Sequence, residues 1–394
     1  MWTFMPAILK AIPEDFKVEE IVSARWDNAG PYSVYLLEKR GWNTVDALRE
    51  ISKKLNIPSR FFSYGGKKDR HAFTRQFITV EGKRINDFKS EQLSFTFQGY
   101  AQRPMGPDLI DGNRFEITVR QLTEENLTGI KKRLDGVQAQ GFVNYFDDQR
   151  FGSFDKEQGF LAEKILLGHF NGAAKIYLTS IYSSDPKAEK DRKRYFLEHW
   201  KDWDACFKEA HSDFERFAFA EFKKGEKAFL NVLNQIPREE MSMFFSAYQS
   251  YLWNDLAARV LKILVPDDLL CVSGVAGEYC FYSNIADDIL KNVRSLSIPT
   301  AAHNTKFLDE RCEQQYAALL ELRGVKIPMF NKLKVRTAFF KTTDRALVVF
   351  PERLASEDAP DELYPHKRKL ILKFTLPRGS YATMLIKNLL VDAS

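Results

Sequence analysis

Cysteine is scarce in this chain of 394 residues: four stand at positions 206, 271, 280 and 312. None forms a C-x-x-C pair, and no histidine follows at zinc-finger spacing, so a zinc site is not expected. Reduced, structural cysteines are the simple expectation. Apolar runs of membrane length are also missing. The start, "MWTFMPAILKAIPEDF", lacks a basic lead and is interrupted by Lys10, which argues against a signal peptide or a span. The G-x-x-x-x-G-K-[ST] loop of nucleotide-binding proteins is absent, and so are internal repeats and low-complexity tracts. The formal charge is only +5. Together these point to a soluble, cytoplasmic protein, monomeric by default.

Hydrophobic residues make up 44% of the chain, enough for a large core. Residues 1 to 120 read as strands and turns with one helix, "TVDALREISKKLNI", with Thr44 as its expected N-cap. In "GNRFEITVR", Phe115, Ile117 and Val119 alternate with Glu116, Thr118 and Arg120, a strand pattern. "TEENLTGIKKRLDG" then predicts a helix capped by Thr123 and ending at Gly136. Near residue 185, "SSDPKAEKDRKR" reads as a charged connector. Beyond it, "MSMFFSAYQSYLWNDLAARVLKIL" predicts a long buried helix whose aromatics pack a core. A second connector, "ASEDAPDELYPHKRK", precedes a strand over Leu370–Leu376 and a final helix capped by Ser380. The tail matches the first 150 residues in character, which predicts an inserted domain: 1–168 and 346–394 form one domain and 169–345 the insertion.

Basic residues cluster at Lys131-Lys132-Arg133, Arg192-Lys193-Arg194 and Lys367-Arg368-Lys369. Each alone reads as a solvated helix face; several on one aromatic-rich chain favour a nucleic-acid partner. Two stretches carry chemistry. In "FFSYGGKKDRHAFTRQFITV", residues 61–80, Asp69 stands between Lys68 and Arg70. Nearby positive charge holds a carboxylate ionised, suited to act as nucleophile or base. The glycine pair permits unusual backbone and close ligand approach. A plain charged turn is the bland alternative. In "NYFDDQRFG", residues 144–152, aromatics interleave with polar side chains, as in sites that stack and hydrogen-bond an unstacked base. A local aromatic core loop is the rival.

These stretches resemble the TruD family of tRNA pseudouridine synthases. "GGKKD" matches that family's G-x-K-D and "NYFDDQRFG" its N-Y-F-G-x-Q-R-F-G, with Asp147 where the family usually has glycine. "ILKAIPEDFKVEEI", "GNRFEI", "SAYQSYLWN" and "LPRGSYAT" follow the family's order. The resemblance implies an α+β catalytic domain on a mixed, largely antiparallel sheet, with an inserted α/β domain. It implies isomerisation of a tRNA uridine, usually at position 13, with neither redox cofactor nor metal. Asp69 falls on the catalytic aspartate. Lys10 falls on the basic residue that pairs with it, and Phe146 on the ring expected to stack on the uracil. Asn144 is a candidate for base contacts, and Lys68 for a structural or phosphate-binding role. A non-catalytic RNA-binding or RNA-folding factor on the same scaffold is the alternative, and a small-molecule hydrolase using Asp69 a third.

Overall fold

A computed structural model describes residues 2–82, 84–267 and 269–393. Contacts divide the chain into two compact units, Met1–Phe142 with Val349–Ser394, and Val143–Val348. The sequence expectation sets the first boundary at 168/169; residues 143–168 instead pack within the second unit.

The first unit is built on a ten-stranded sheet. Its main path runs Glu352–Pro360, Arg368–Pro377, Ile110–Leu122, Phe16–Val22, Phe73–Glu81, Tyr32–Arg40, Leu93–Ala101 and Phe88–Lys89. Neighbours are antiparallel except one pair: Phe16–Val22 and Phe73–Glu81 run parallel, with Lys17 opposite Phe73. The fold class is therefore α+β with a mixed, largely antiparallel sheet. Phe115, Ile117 and Val119 face the core, opposite Phe374, Leu372 and Leu370 of the returning C-terminal strand. That pairing explains why the tail shares the character of the first 150 residues.

Several local expectations are corrected. Asn43, not Thr44, caps the helix Thr44–Leu55, accepting a bond from the Asp46 amide; Thr44 is spent on the loop before Phe73 instead. The helix Glu124–Gln140 is capped by Thr123 as its sequence predicts, but runs through Gly136 to Gly141. Continuing buries Val137, which outweighs the ~1 kcal/mol cost of an interior glycine. Ser380 caps nothing; the last helix is Ala382–Leu390 behind Tyr381. The first part of the connector at 355–369 belongs to the edge strand Glu352–Pro360, whose charge and proline suit an exposed edge, and the rest turns into the strand Arg368–Pro377. Arg120, expected on the polar face, is buried among Asp15, Asp361 and Glu362.

In the second unit the long helix Arg238–Leu264 is the organising element, burying Met241, Phe245, Tyr248, Leu252, Trp253 and Leu256. The charged connector near 185 is mostly the helix Lys187–Glu198. Its charges pair with one another and with neighbours, Lys193 with Asp185 and Glu189, so the segment needs no apolar stripe to be ordered. The hairpin Leu269–Gly274 and Gly277–Tyr282 places Cys271 opposite Cys280. They form a disulfide, correcting the expectation of four reduced cysteines; spacing reads a motif, whereas strand register sets which cysteines meet. Cys206 and Cys312 are buried free thiols.

Candidate active site and base pocket

Asp69 lies in the loop 65–72, which leads into Phe73–Glu81. Lys10 lies just before the turn Pro13–Asp15 that leads into Phe16–Val22. Because those two strands are parallel and paired at their N-terminal ends, topology brings the two segments together across 59 residues of sequence. The Lys10 ammonium donates to the Asp69 carboxylate, and each side chain is 22% exposed. Lys10 has φ of 62°, a left-handed backbone that a non-glycine residue seldom adopts. The ammonium also lies 4.4 Å from the centre of the Phe16 ring.

The carboxylate is fixed further by the His71 backbone amide, which donates to Oδ1 at 3.0 Å. Burial raises the acid's pKa, but the Lys10 hydrogen bond, the His71 amide and the nearby positive charge outweigh it and hold Asp69 below the usual carboxylate range. The His71 residue itself is exposed.

The loop's backbone is locked by side chains from two strands and a helix. Thr44 Oγ1 accepts from the Lys68 amide at 2.8 Å and donates to Gln76 at 2.7 Å. Gln76 donates to the Gly66 carbonyl at 3.1 Å. Lys39, fully buried, donates to the carbonyls of Asp69 and Trp42. A Cβ on Gly65 would meet the Ile110 side chain at 2.3 Å, so close packing, not an unusual φ, requires glycine there. Lys68 is turned inward: its ammonium reaches Asn113 at 2.7 Å and the buried Glu20 at 3.0 Å. Burial raises Glu20 and Lys68 opposes that rise. Lys67 and Arg70 are the exposed cations of the motif.

The second stretch, in the other unit, is held differently. Asn254, on the long helix, clamps both backbone groups of Phe146, accepting from its amide at 2.9 Å and donating to its carbonyl at 2.8 Å. The Trp253 ring meets Phe146 edge-on, with centroids 5.7 Å apart. The Arg345 guanidinium sits 4.1 Å from the centre of the Phe146 ring and donates to the Asn144 side chain and carbonyl, each at 2.7 Å. Phe146 is half-buried, whereas Asn144 is buried, with its amide also donating to the Ala346 carbonyl. Tyr145 is a core residue whose hydroxyl bridges the Cys280 amide and carbonyl. Asp147 has extended backbone, φ −77° and ψ 160°, so its position makes no demand for glycine.

A family model described as tRNA pseudouridine synthase D (TruD) matches residues 5–389. The chain belongs to the TruD family. It is 31% identical to the "Probable tRNA pseudouridine synthase D 1" of Methanococcus maripaludis, over 95% of this chain and 97% of that one. It is 29% identical to a tRNA pseudouridine synthase D of Leptospira interrogans, over 98% and 97%. A solved structure assigned to TruD from Methanosarcina mazei matches with a TM-score of 0.75 at 26% identity, covering 98% of this chain and 94% of that one. The enzyme class is that of the pseudouridine synthases.

Within this TruD chain, sequence reasoning singled out Asp69, Lys10, Lys68, Asn144 and Phe146. It missed Lys39, Arg345 and Asn254. Lys39 hides in an alternating strand, where a lysine reads as a solvent-facing residue. Asn254 was in view, inside "SAYQSYLWN", a segment read for its aromatics. Arg345 carries no local signal, since it meets Asn144 from 201 residues away.

Proposed function

We propose that the protein converts uridine 13 of tRNA to pseudouridine, with Asp69 reacting at the ribose. Lys10 orients the carboxylate and keeps it ionised; Phe146 stacks on the uracil, and Asn144, set by Arg345, shapes that pocket. The observation that carries this reading is the Lys10–Asp69 ion pair, formed by residues far apart in sequence and reinforced by the His71 amide. A half-buried carboxylate held below its usual range is a ready nucleophile or base and a poor acid. Lys68 serves this scheme as a half-buried brace for the loop. Lys67 and Arg70 are the motif's cations suited to phosphate.

The reaction breaks the C1′–N1 bond, turns the uracil and joins its C5 to C1′, with the C5 proton passing to solvent and N1 gaining one. No electrons are exchanged. Asp69 either attacks C1′ or removes the C2′ proton to give a glycal, and a primary isotope effect with 2′-deuterated uridine marks the second route. Unstacking the base costs a few kcal/mol; stacking at ~1–3 kcal/mol per base offsets it. The unit Val143–Val348 is read as the inserted domain, and the protein as a cytoplasmic monomer.

Incubating the purified protein with an unmodified tRNA transcript and mapping pseudouridine tests the reading. One new pseudouridine at position 13 is expected. A product elsewhere overturns the position, and no product in any tRNA overturns the activity.

A further inference from the structure

The three basic clusters prominent in the sequence are largely consumed internally. Lys131 pairs with Asp358, Arg192 with Glu215, Lys193 with Asp185 and Glu189, Arg194 with Asp191, Arg368 with Asp358, and Lys369 with Glu362. A quieter segment behaves otherwise. Between Gly324 and Thr343 the chain has Lys326, Lys332, Lys334, Arg336 and Lys341 and no Asp or Glu. All five cations are exposed, and among the described residues none of them forms an ion pair.

The fold concentrates them. Phe330 and Phe340 are both buried, with ring centroids 4.8 Å apart, and Phe340 packs on Phe245 of the long helix at 4.8 Å. The nine residues from 331 to 339 thus leave and re-enter the core at one point, as a compact Ω-type loop. Val335 plugs the loop's middle into the core, and the Arg336 amide is tied to Asn234 at 2.7 Å. Lys332, Lys334 and Arg336 alternate along this pinned backbone. Beside them Phe339 is 42% exposed, with the exposed Arg238 guanidinium 5.0 Å from its ring centre. A short closed loop holding several cations without counter-charges has a strong positive potential, which a polyanion relieves by displacing small ions.

The same segment continues into the strand Asp344–Ala346, which carries Arg345 beneath Phe146. Arg345 is four residues on from Lys341, at most ~14 Å of chain. We propose that the loop Asn331–Lys341 grips the phosphodiester backbone of the RNA whose base is presented to Phe146. This rests on the reading of Phe146 as the stacking residue. The loop supplies grip without sequence preference, and the exposed Phe339 ring offers a platform for a neighbouring unstacked base.

The test uses the full-length protein with Lys332→Gln, Lys334→Gln and Arg336→Gln combined. Binding of unmodified tRNA is measured from 50 to 200 mM salt, and turnover at saturating tRNA in single-turnover mode. The expected results are Kd weakened at least ~10-fold at 50 mM salt and a log–log salt slope smaller by about 2 to 3. Turnover at saturation stays within about twofold. Lys193→Gln with Arg194→Gln, in the paired cluster, leaves the slope within ~0.5 of wild type. The double variant Lys332→Gln/Lys341→Gln, which retains the Lys334 contact with the Phe170 ring, gives an independent slope if the triple variant melts early. An unchanged Kd and slope in a folded variant overturns the proposal. If wild type fails to isomerise tRNA while the slope still falls, the loop proposal stands and the enzymatic reading falls. If wild type isomerises and the slope does not move, the loop proposal alone falls.

Discussion

Around Asp69 the contacts are almost all charges and hydrogen bonds: Lys10 on the carboxylate, the His71 amide on Oδ1, Lys39 on the carbonyl. Around Phe146 they are rings, one amide clamp and one guanidinium, from Trp253, Asn254 and Arg345. The difference fits the roles proposed for the two residues. A reacting carboxylate needs its charge and direction fixed before substrate arrives, and Lys10, Lys39 and Lys68 are committed to the loop and its surroundings while Lys67 and Arg70 stay exposed. A stacking ring needs only a firm edge and a set tilt, since a base finds its partner through a flat face. Buried charge accompanies both: Lys39 and Glu20 are removed from water in the first unit, and Asp147, next to Phe146, in the second.

Substitutions can break that contrast, beginning with the largest effect. Lys10→Met takes away the ammonium and is expected to slow single-turnover isomerisation by ~10²–10³-fold, with tRNA affinity little changed. With the cation gone, Asp69 loses the largest of the interactions that oppose its burial and keeps the His71 amide, so the acid limb of the pH–rate profile moves upward. Phe146→Ala is expected to lower kcat/KM by ~10- to 100-fold, matching the loss of one stack, while Phe146→Tyr retains most activity. Equal losses from both would erase the distinction between a ring and a charge.

Stability measurements sharpen the contrast. Lys68→Met leaves Glu20 buried without its cation and is expected to cost ~3 kcal/mol in urea unfolding, with no change in the salt dependence of tRNA binding. A reduced salt slope at unchanged stability would return Lys68 to the phosphate. Lys39 gives an effect of another kind, in the pH dependence of stability. Burial pushes its ammonium down to about 8, with the Asp69 charge working against that fall and the Lys68 charge adding to it. Its unfolded value is ~10.4, so between the two the unfolded chain binds more protons and stability rises with pH. Lys39→Met is expected to remove that rise, seen as a flatter stability profile from about pH 8 to 10.4.

The motif around Asp69 was legible because glycines, cations and one carboxylate fall within a few residues. The long helix was legible because its apolar spacing runs unbroken from Met241 to Val260. The inward turn of Lys68 was not, because Glu20 and Asn113 reach it through the sheet and share no local pattern with it. Charge runs misled in both directions. The stretch near 185 looked like a connector yet forms a helix through its own ion pairs, and the obvious basic triplets are mostly paired. The cations at 332, 334 and 336 went unremarked because they alternate with apolar residues. Arg345 became visible only when the strand Asp344–Ala346 paired with Ser297–Pro299 and aimed it at Asn144.

The central claim is that the Asp69 carboxylate reacts with the ribose, and Asp69→Asn tests it most directly. The variant keeps size and removes charge. Single-turnover isomerisation is expected to fall at least ~10⁴-fold, while Kd for unmodified tRNA, measured on the same preparation, stays within about twofold. A rate within tenfold of wild type, or a loss of binding as large as the loss of rate, would contradict the account.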